Sequence, residues 1–324
     1  MNDFFISKLE DIEFSDLMIL PDERAFFRHV TGLEGPITEI PPNTELFHEI
    51  KKIKSELDQE KHHEFFYQAR GVPFRATRIK TLNGVGYFLR RPKFPVPSIE
   101  SLGYVTALHT ALCTLGVKQG LVVFAGATGS GKSTSVYSLV SKLVSTHGDI
   151  VVGIEDPPEI PVQGIYGEKN NGLWYQLDAS QSGGYESAMI AAMRYNPRYI
   201  MMGEIRSPMA AGEAIRAAVN GHLVLTTIHG NSIIGAILAI QQIAAAGLQS
   251  QELARSILAD GLTAVIHQKL IKGSQPGKRV VSAEAFFVND DPGIKSKIRS
   301  GKLELLSSDI VSQNHRISKG QLPF

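Results

Sequence analysis

The octapeptide Gly126-Ala127-Thr128-Gly129-Ser130-Gly131-Lys132-Ser133 constrains this chain more than any other feature. It fits the pattern G-x-x-x-x-G-K-S/T in full. Before it lies Leu121-Val122-Val123-Phe124-Ala125, an apolar run of strand character, and a helical pattern starts near Ser133. Glycines let backbone N–H groups turn inward around phosphate oxygens, and the helix that follows adds its positive N-terminus. In such a loop Lys132 reaches the β- and γ-phosphates and the Ser133 hydroxyl holds Mg²⁺; Thr134 is counted with the loop. The expected ligands are therefore ATP and Mg²⁺.

The surrounding sequence supplies the sheet that this loop requires. Ile150-Val151-Val152-Gly153-Ile154, Tyr199-Ile200-Met201-Met202 and Leu223-Val224-Leu225-Thr226-Thr227-Ile228 are further apolar runs. Helical patterns separate them, including Ala188 to Tyr195 and Ile233 to Ala246. Continuous apolar strands alternating with helices predict an α/β unit, a mostly parallel sheet covered on both faces.

Residues 1–90 have a different texture. Helix signals at Glu45 to Lys61 precede strand-like runs at Glu64-Phe65-Phe66-Tyr67, Phe74 to Ile79 and Gly86 to Leu89, which predicts a small α+β domain. Residues 91–98 contain Pro92, Pro95 and Pro97 and read as an extended linker. The nucleotide-binding domain is expected over 99–288. Residues 289–324 read as a polar tail with one short helix, Ile294 to Arg299.

Composition narrows the classes. With 43% hydrophobic and 20% charged residues, 324 residues fit a globular protein of two domains. A net charge of +1 gives no global footprint for nucleic acid or an anionic membrane. One cysteine, Cys113, cannot form a disulfide framework or a cysteine-rich zinc site within the chain. The start, Met1-Asn2-Asp3-Phe4-Phe5, lacks a basic n-region, so a cytoplasmic location without a signal peptide is expected. The apolar stretch from Ile233 to Leu248 is broken by Gln241-Gln242 and is shorter than the roughly 20 residues of a membrane span, so no direct insertion is expected.

Ligands in parallel sheets bind beyond the carboxyl ends of the strands. Three runs end there in polar residues: Glu155-Asp156-Pro157-Pro158-Glu159, Gly203-Glu204-Ile205-Arg206 and His229-Gly230-Asn231-Ser232. A carboxylate near a γ-phosphate orients or deprotonates water, and a histidine or arginine answers the developing charge. Each acid alone reads equally well as a solvated loop residue or a helix cap. Together, at one edge, Glu155, Glu204 and His229 are the catalytic candidates. His222 and His229 flank one strand about 23 Å apart, too far to share a metal, which makes His222 a structural or subunit-contact candidate. His62 and His63 fall in a charged helical stretch and read as solvated.

These segments, in this order, resemble those of the type II/type IV secretion and pilus motor ATPases. Residues 126–133 match the family's phosphate loop, 154–159 its Asp box, 199–206 its modified Walker B ending in Gly-Glu, and 221–231 its His box. The resemblance implies a RecA-like P-loop domain preceded by a PAS-like domain. It also implies a homo-hexameric ring bound through inner-membrane secretion or pilus platform proteins. Glu155 then helps arrange metal and water. Arg75 and Arg90, with Arg78 and Arg91 as neighbours, become candidates for reaching the next subunit's nucleotide.

Departures from the family pattern bear on subtype. There is no four-cysteine module, residues 293–299 depart from the Ala-Ile-Arg helix of the retraction group, and Ser207 replaces an acid. Arg198 stands where most members carry an acid, a feature similar to Dot/Icm-like and conjugative ATPases. Type IV secretion or conjugative transfer is therefore the leading expectation. Pilus retraction or assembly, and a nucleotide-gated switch with weak hydrolysis, are the alternatives. A kinase lacks a recognisable lid here, and a DNA motor lacks interleaved aromatics and basic runs.

Overall fold

A computed structural model describes residues 8–205, 207–273, 279–288 and 291–324. Met1 to Phe5 and Arg206 lie outside the described residues. The chain divides into two compact units. One runs to Phe94 and takes in Asp156–Pro161; the other holds Pro95–Glu155 and Val162–Phe324. Asp156–Pro161, read from sequence as part of the second region, thus groups with the first.

The first unit has strands β1 (Asp16–Ile19), β2 (Ala25–Arg28) and β3 (Ile37–Glu39), helix α1 (Glu45–Leu57), then β4 (Glu64–Ala69), β5 (Val72–Thr81) and β6 (Gly84–Arg90). They form an antiparallel sheet in the order β3-β2-β1-β6-β5-β4. α1 starts where the Thr44 hydroxyl accepts from Phe47 N, and it buries Leu46, Ile50, Ile53 and Leu57. That spacing puts one apolar stripe against the sheet core, which includes Leu17, Phe27, Phe74 and Leu89. His62 and His63 lie beyond the end of α1 and are exposed, as solvated residues should be, though not in a helix.

The second unit contains α2 (Thr106–Cys113), β7 (Gly120–Ala125), α3 (Lys132–His147), β8 (Asp149–Glu155), β9 (Gly164–Tyr166) and β10 (Gly172–Asp178). It continues through α4 (Tyr185–Arg194), β11 (Tyr199–Met202), α5 (Pro208–Val219), β12 (Leu223–Ile228), α6 (Ile233–Leu248) and α7 (Gln251–Gly261). Strands β13 (Leu262–Lys272) and β14 (Arg279–Phe287) and helices α8 (Pro292–Ser300) and α9 (Ser307–Ser318) complete it. The sheet order is β14-β13-β7-β12-β11-β8-β10-β9. Its six inner strands run parallel, and β14 and β9 pair antiparallel at the edges. Every residue of β7, β11 and β12 is buried, which explains why these strands read as unbroken apolar runs. The α/β expectation holds, as does that of an α+β unit before it.

α6 buries Ile233, Ala236, Ile237, Ile240, Gln241 and Ala244 on one face. The Gln241 amide donates to Ile298 O at 3.2 Å, which satisfies the polar group inside an otherwise apolar face. Among the described residues no helix is long and apolar enough to cross a membrane.

The C-terminal stretch is not a polar tail. Ile294, Ile298, Leu303 and Leu306 belong to the same core as β7 and α5. On α9, Gln313 accepts from Phe287 N at 2.8 Å and donates to Phe287 O at 2.8 Å. Asn314 accepts from Ala285 N at 3.0 Å and donates to Ala285 O at 2.9 Å. Side-chain amides thereby satisfy the open side of edge strand β14, where backbone groups would otherwise lack a ladder partner. These residues looked solvated in sequence because an amide gives no sign of whether its partner is water or backbone.

Candidate functional site

Residues 126–131 turn sharply out of β7. A Cβ at Gly126 would lie 2.4 Å from Gln268 O and 2.7 Å from Ser130 Oγ, so only glycine fits. Gly131 has φ 83° and caps α3, whose first residue is Lys132. The Lys132 ammonium curls over the loop, donating to Gly126 O at 2.9 Å and Ala127 O at 3.0 Å. Lys132 is 8% exposed. Burial pushes its pKa down, and the negative charge of Glu204 opposes that shift. Ser130 Oγ is buried without a hydrogen-bond partner, a polar atom that an incoming phosphate oxygen can satisfy. A cation, an orphaned hydroxyl and a glycine cradle at a helix N-terminus together fit a phosphate chain.

Strand register brings the other candidates to the same edge. Ile228 pairs with Ala125, and Met202 pairs with both Thr226 and Ile154. His229, Glu204 and Glu155 therefore leave the sheet on the side where the loop begins. His229 Nε2 lies 3.2 Å from Glu204 Oε1. The turn carrying Glu204 is fixed by Thr227, whose hydroxyl donates to Gly203 O at 2.7 Å and whose carbonyl accepts from Ile205 N at 3.1 Å.

Glu155 is 4% exposed. The Tyr137 hydroxyl, on α3, sits 2.5 and 2.6 Å from its two carboxylate oxygens, and Gln176 Nε2 lies 3.5 Å from Oε1. α3 thus carries Lys132 at its start and, five residues on, the group that holds Glu155. Nothing in the sequence pairs Glu155 with this tyrosine. Tyr137 is fully buried, and nothing local in the sequence reveals that α3 crosses the sheet face as far as β8.

Two further residues escaped sequence reasoning. Gln268, on β13, donates from Nε2 to Ser130 O at 2.8 Å, and the Tyr104 hydroxyl donates to Gln268 Oε1 at 2.8 Å. The available signal was a glutamine between the apolar residues 264–266 and 270–271, a side chain that the structure buries.

Arg75 and Arg90 belong to the first unit. They are direct partners across β5 and β6, and Arg90 is also opposite Asp16 on β1. Like charges facing each other cost stability unless acids intervene. Arg75 has Glu64 at 2.6 Å and Glu159 at 3.4 Å. Arg90 donates to the buried Asp16 carboxylate at 3.0 Å, and Ser15 Oγ donates to the same group at 2.7 Å. Arg91 donates to Ile12 O and stacks on Phe14, a structural role. The Nε of Arg78 is buried without a hydrogen-bond partner.

His222 and Arg198 sit at the opposite edge of the sheet. His222 Nδ1 is 2.6 Å from Pro197 O. Arg198 donates to Gly116 O from Nε at 2.9 Å and from Nη2 at 2.6 Å, closing the turn after α2. Among the described residues no group of histidines, cysteines and acids could hold a metal ion by itself.

The family model described as Type II/IV secretion system protein matches residues 54–312, and the chain belongs to that family. Among its relatives is the type IV pilus ATPase PilU of Pseudomonas aeruginosa, 32% identical over 213 residues, or 63% of this chain and 53% of PilU. The crystal structure of the pilus retraction motor PilT with bound ADP is similar at a TM-score of 0.74 and 28% identity, covering 92% of this chain and 86% of PilT. The ATPase DotB of Legionella pneumophila shares the fold at a TM-score of 0.70 and 20% identity, covering 95% of this chain and 89% of DotB. The chain spans about half the length of the curated relatives it matches first.

Proposed function

We propose that this chain is the ATP-hydrolysing subunit of a ring-forming cytoplasmic motor that powers type IV secretion or conjugative transfer. The observation that carries this reading is the gathering of Lys132, Glu155, Glu204 and His229 at the strand edge from which the glycine loop departs. Backbone N–H groups of residues 126–134 and the Lys132 ammonium hold the phosphates. Lys132 exchanges its bonds to Gly126 O and Ala127 O for phosphate oxygens. Ser133 would hold Mg²⁺, which when bound neutralises charge between the β- and γ-phosphates. Glu204 orients the attacking water and takes its proton, and His229 fixes the carboxylate from 3.2 Å away. Glu155, held by Tyr137, orders the water around the metal position.

Arg75 and Arg90 complete the site of a neighbouring subunit in a homo-hexamer, exchanging their acid partners for phosphate. Platform proteins of the inner membrane anchor the ring. A second reading, a motor of pilus retraction or assembly, is favoured by the kinship with PilT and PilU. It stands level with the first, because the match to the Type II/IV secretion family does not separate the two.

One experiment addresses binding and sharing together. Lys132→Ala alone loses nucleotide binding, and Arg75→Ala alone loses turnover. Mixed rings of the two regain part of the turnover. Normal ATP affinity in Lys132→Ala would sink the loop assignment, and an inactive mixture would sink the shared site.

A further inference from the structure

We propose that Gln268 and Tyr104 are positioning residues for phosphate binding, which hold the Ser130 carbonyl away from the loop and so aim the Gly131 N–H into it. The inference rests on the reading that residues 126–134 bind a nucleotide.

The register of β13 on β7 pairs His267 with Ala125, which sets Gln268 beside the first residue of the loop. Gln268 is 1% exposed, and both ends of its amide are used. Nε2 lies 2.8 Å from Ser130 O and Oε1 lies 2.8 Å from the Tyr104 hydroxyl. A backbone carbonyl only accepts, so the amide orientation is fixed with its NH₂ toward Ser130. Its oxygen then needs a donor, and Tyr104 supplies its one proton. Ser135 Oγ, 2.8 Å from the same tyrosine oxygen, completes the chain as donor to it. Burial pushes the Tyr104 phenol pKa up, which keeps that proton in place.

The consequence for the loop follows from peptide geometry. In a planar trans peptide the C=O of one residue and the N–H of the next point in opposite directions. Among the described residues the cis bond is Asp156-Pro157, so the Ser130–Gly131 peptide is trans. Drawing the Ser130 carbonyl to Gln268 turns the Gly131 N–H the other way. Gly131 is the N-cap of α3, where an N–H lacks an intrahelical partner and adds to the positive helix end.

Tyr104 also ends a segment strapped along the helix that follows the loop. Ser135, Ser138 and Lys142 share one face of α3. Ser135 meets Tyr104, Ser138 Oγ donates to Pro97 O at 2.7 Å, and Lys142 Nζ lies 2.9 Å from Glu100. The donor geometry of the loop is therefore set from residues 97–104 on one side and β13 on the other.

The test measures ADP and adenosine affinities of the full chain by competition against a fluorescent ADP, with melting of the nucleotide-free protein in parallel. In Gln268→Met the ADP dissociation constant rises about tenfold, or about 1.4 kcal/mol, and adenosine binding is unchanged. Tyr104→Phe gives a smaller rise of about threefold and adds nothing in the Gln268→Met background. ADP affinity within twofold of wild type in Gln268→Met, or equal losses for ADP and adenosine, would overturn the proposal. If Gln268→Met does not fold, Tyr104→Phe alone carries the same test, since it removes one oxygen atom. A wild-type chain that does not bind ADP instead defeats the nucleotide reading on which the inference rests.

Discussion

Removing the Tyr137 hydroxyl isolates one contact that links the phosphate loop's helix to a candidate catalytic acid. Tyr137→Phe leaves the ring stacked on Trp174, with centroids 6.0 Å apart, and takes away the hydroxyl lying 2.5 and 2.6 Å from the Glu155 oxygens. A hydrogen bond to a charged group contributes about 1.5–3 kcal/mol, and the loss is felt in full where water cannot replace the donor. Glu155 is 4% exposed, so little water can. Gln176, at 3.5 Å, recovers only part of the interaction. The expected destabilisation is about 2 kcal/mol, which corresponds to a fall of about 4–8 °C in Tm for a domain of this size. Thermal denaturation of the single and double variants with Glu155→Gln measures it. Next to a neutral amide the hydroxyl is worth about 1 kcal/mol, so the cycle should show a coupling of about 1 kcal/mol. A Tm within about 1 °C of wild type, or the same loss in both backgrounds, would mean that the hydroxyl does not act on the Glu155 charge.

Two other outcomes follow from the same geometry. The Lys142 ammonium bonded to Glu100 pulls the Glu100 pKa from 4.5 to about 2, so the pair's contribution is present above pH 4.5 and fades as pH falls toward 2. Both side chains are largely exposed, so Lys142→Met should cost under about 1 kcal/mol at pH 7, with the difference shrinking in melts at pH 3. Arg198→Ala should lower stability by about 1–2 kcal/mol, since it leaves Gly116 O without its guanidinium donors. ADP affinity should be unchanged in that variant, and a large loss would return Arg198 to the functional residues.

What could be read from sequence followed the range of the interactions. The loop at 126–133 was legible because its chemistry is local: glycines, one lysine and one serine between a strand and a helix. Strands β7, β8, β11 and β12 were legible because burial on both faces leaves an apolar run, and their parallel direction sent Glu155, Glu204 and His229 to one edge. β13 was missed because His267, Gln268 and Lys269 interrupt its apolar pattern. With it went Gln268, whose role exists only once β13 lies beside β7. Tyr137 was hidden for a related reason, since its partner sits three strands away from β7 in the sheet. The short strands β1 to β3 carry too few residues for period-2 alternation to register. Arg198, whose residue type resembled a subtype feature, also bonds Gly116 O at the opposite edge of the sheet, a long-range contact that the sequence does not reveal.

We propose Glu204 as the group that activates water for hydrolysis of ATP bound at the loop. A single-turnover measurement on Glu204→Gln, with ATP binding followed in the same sample, tests it most directly. The ATP dissociation constant should stay within about threefold of wild type while phosphate release slows by at least about 100-fold. Phosphate release at the wild-type rate would contradict it.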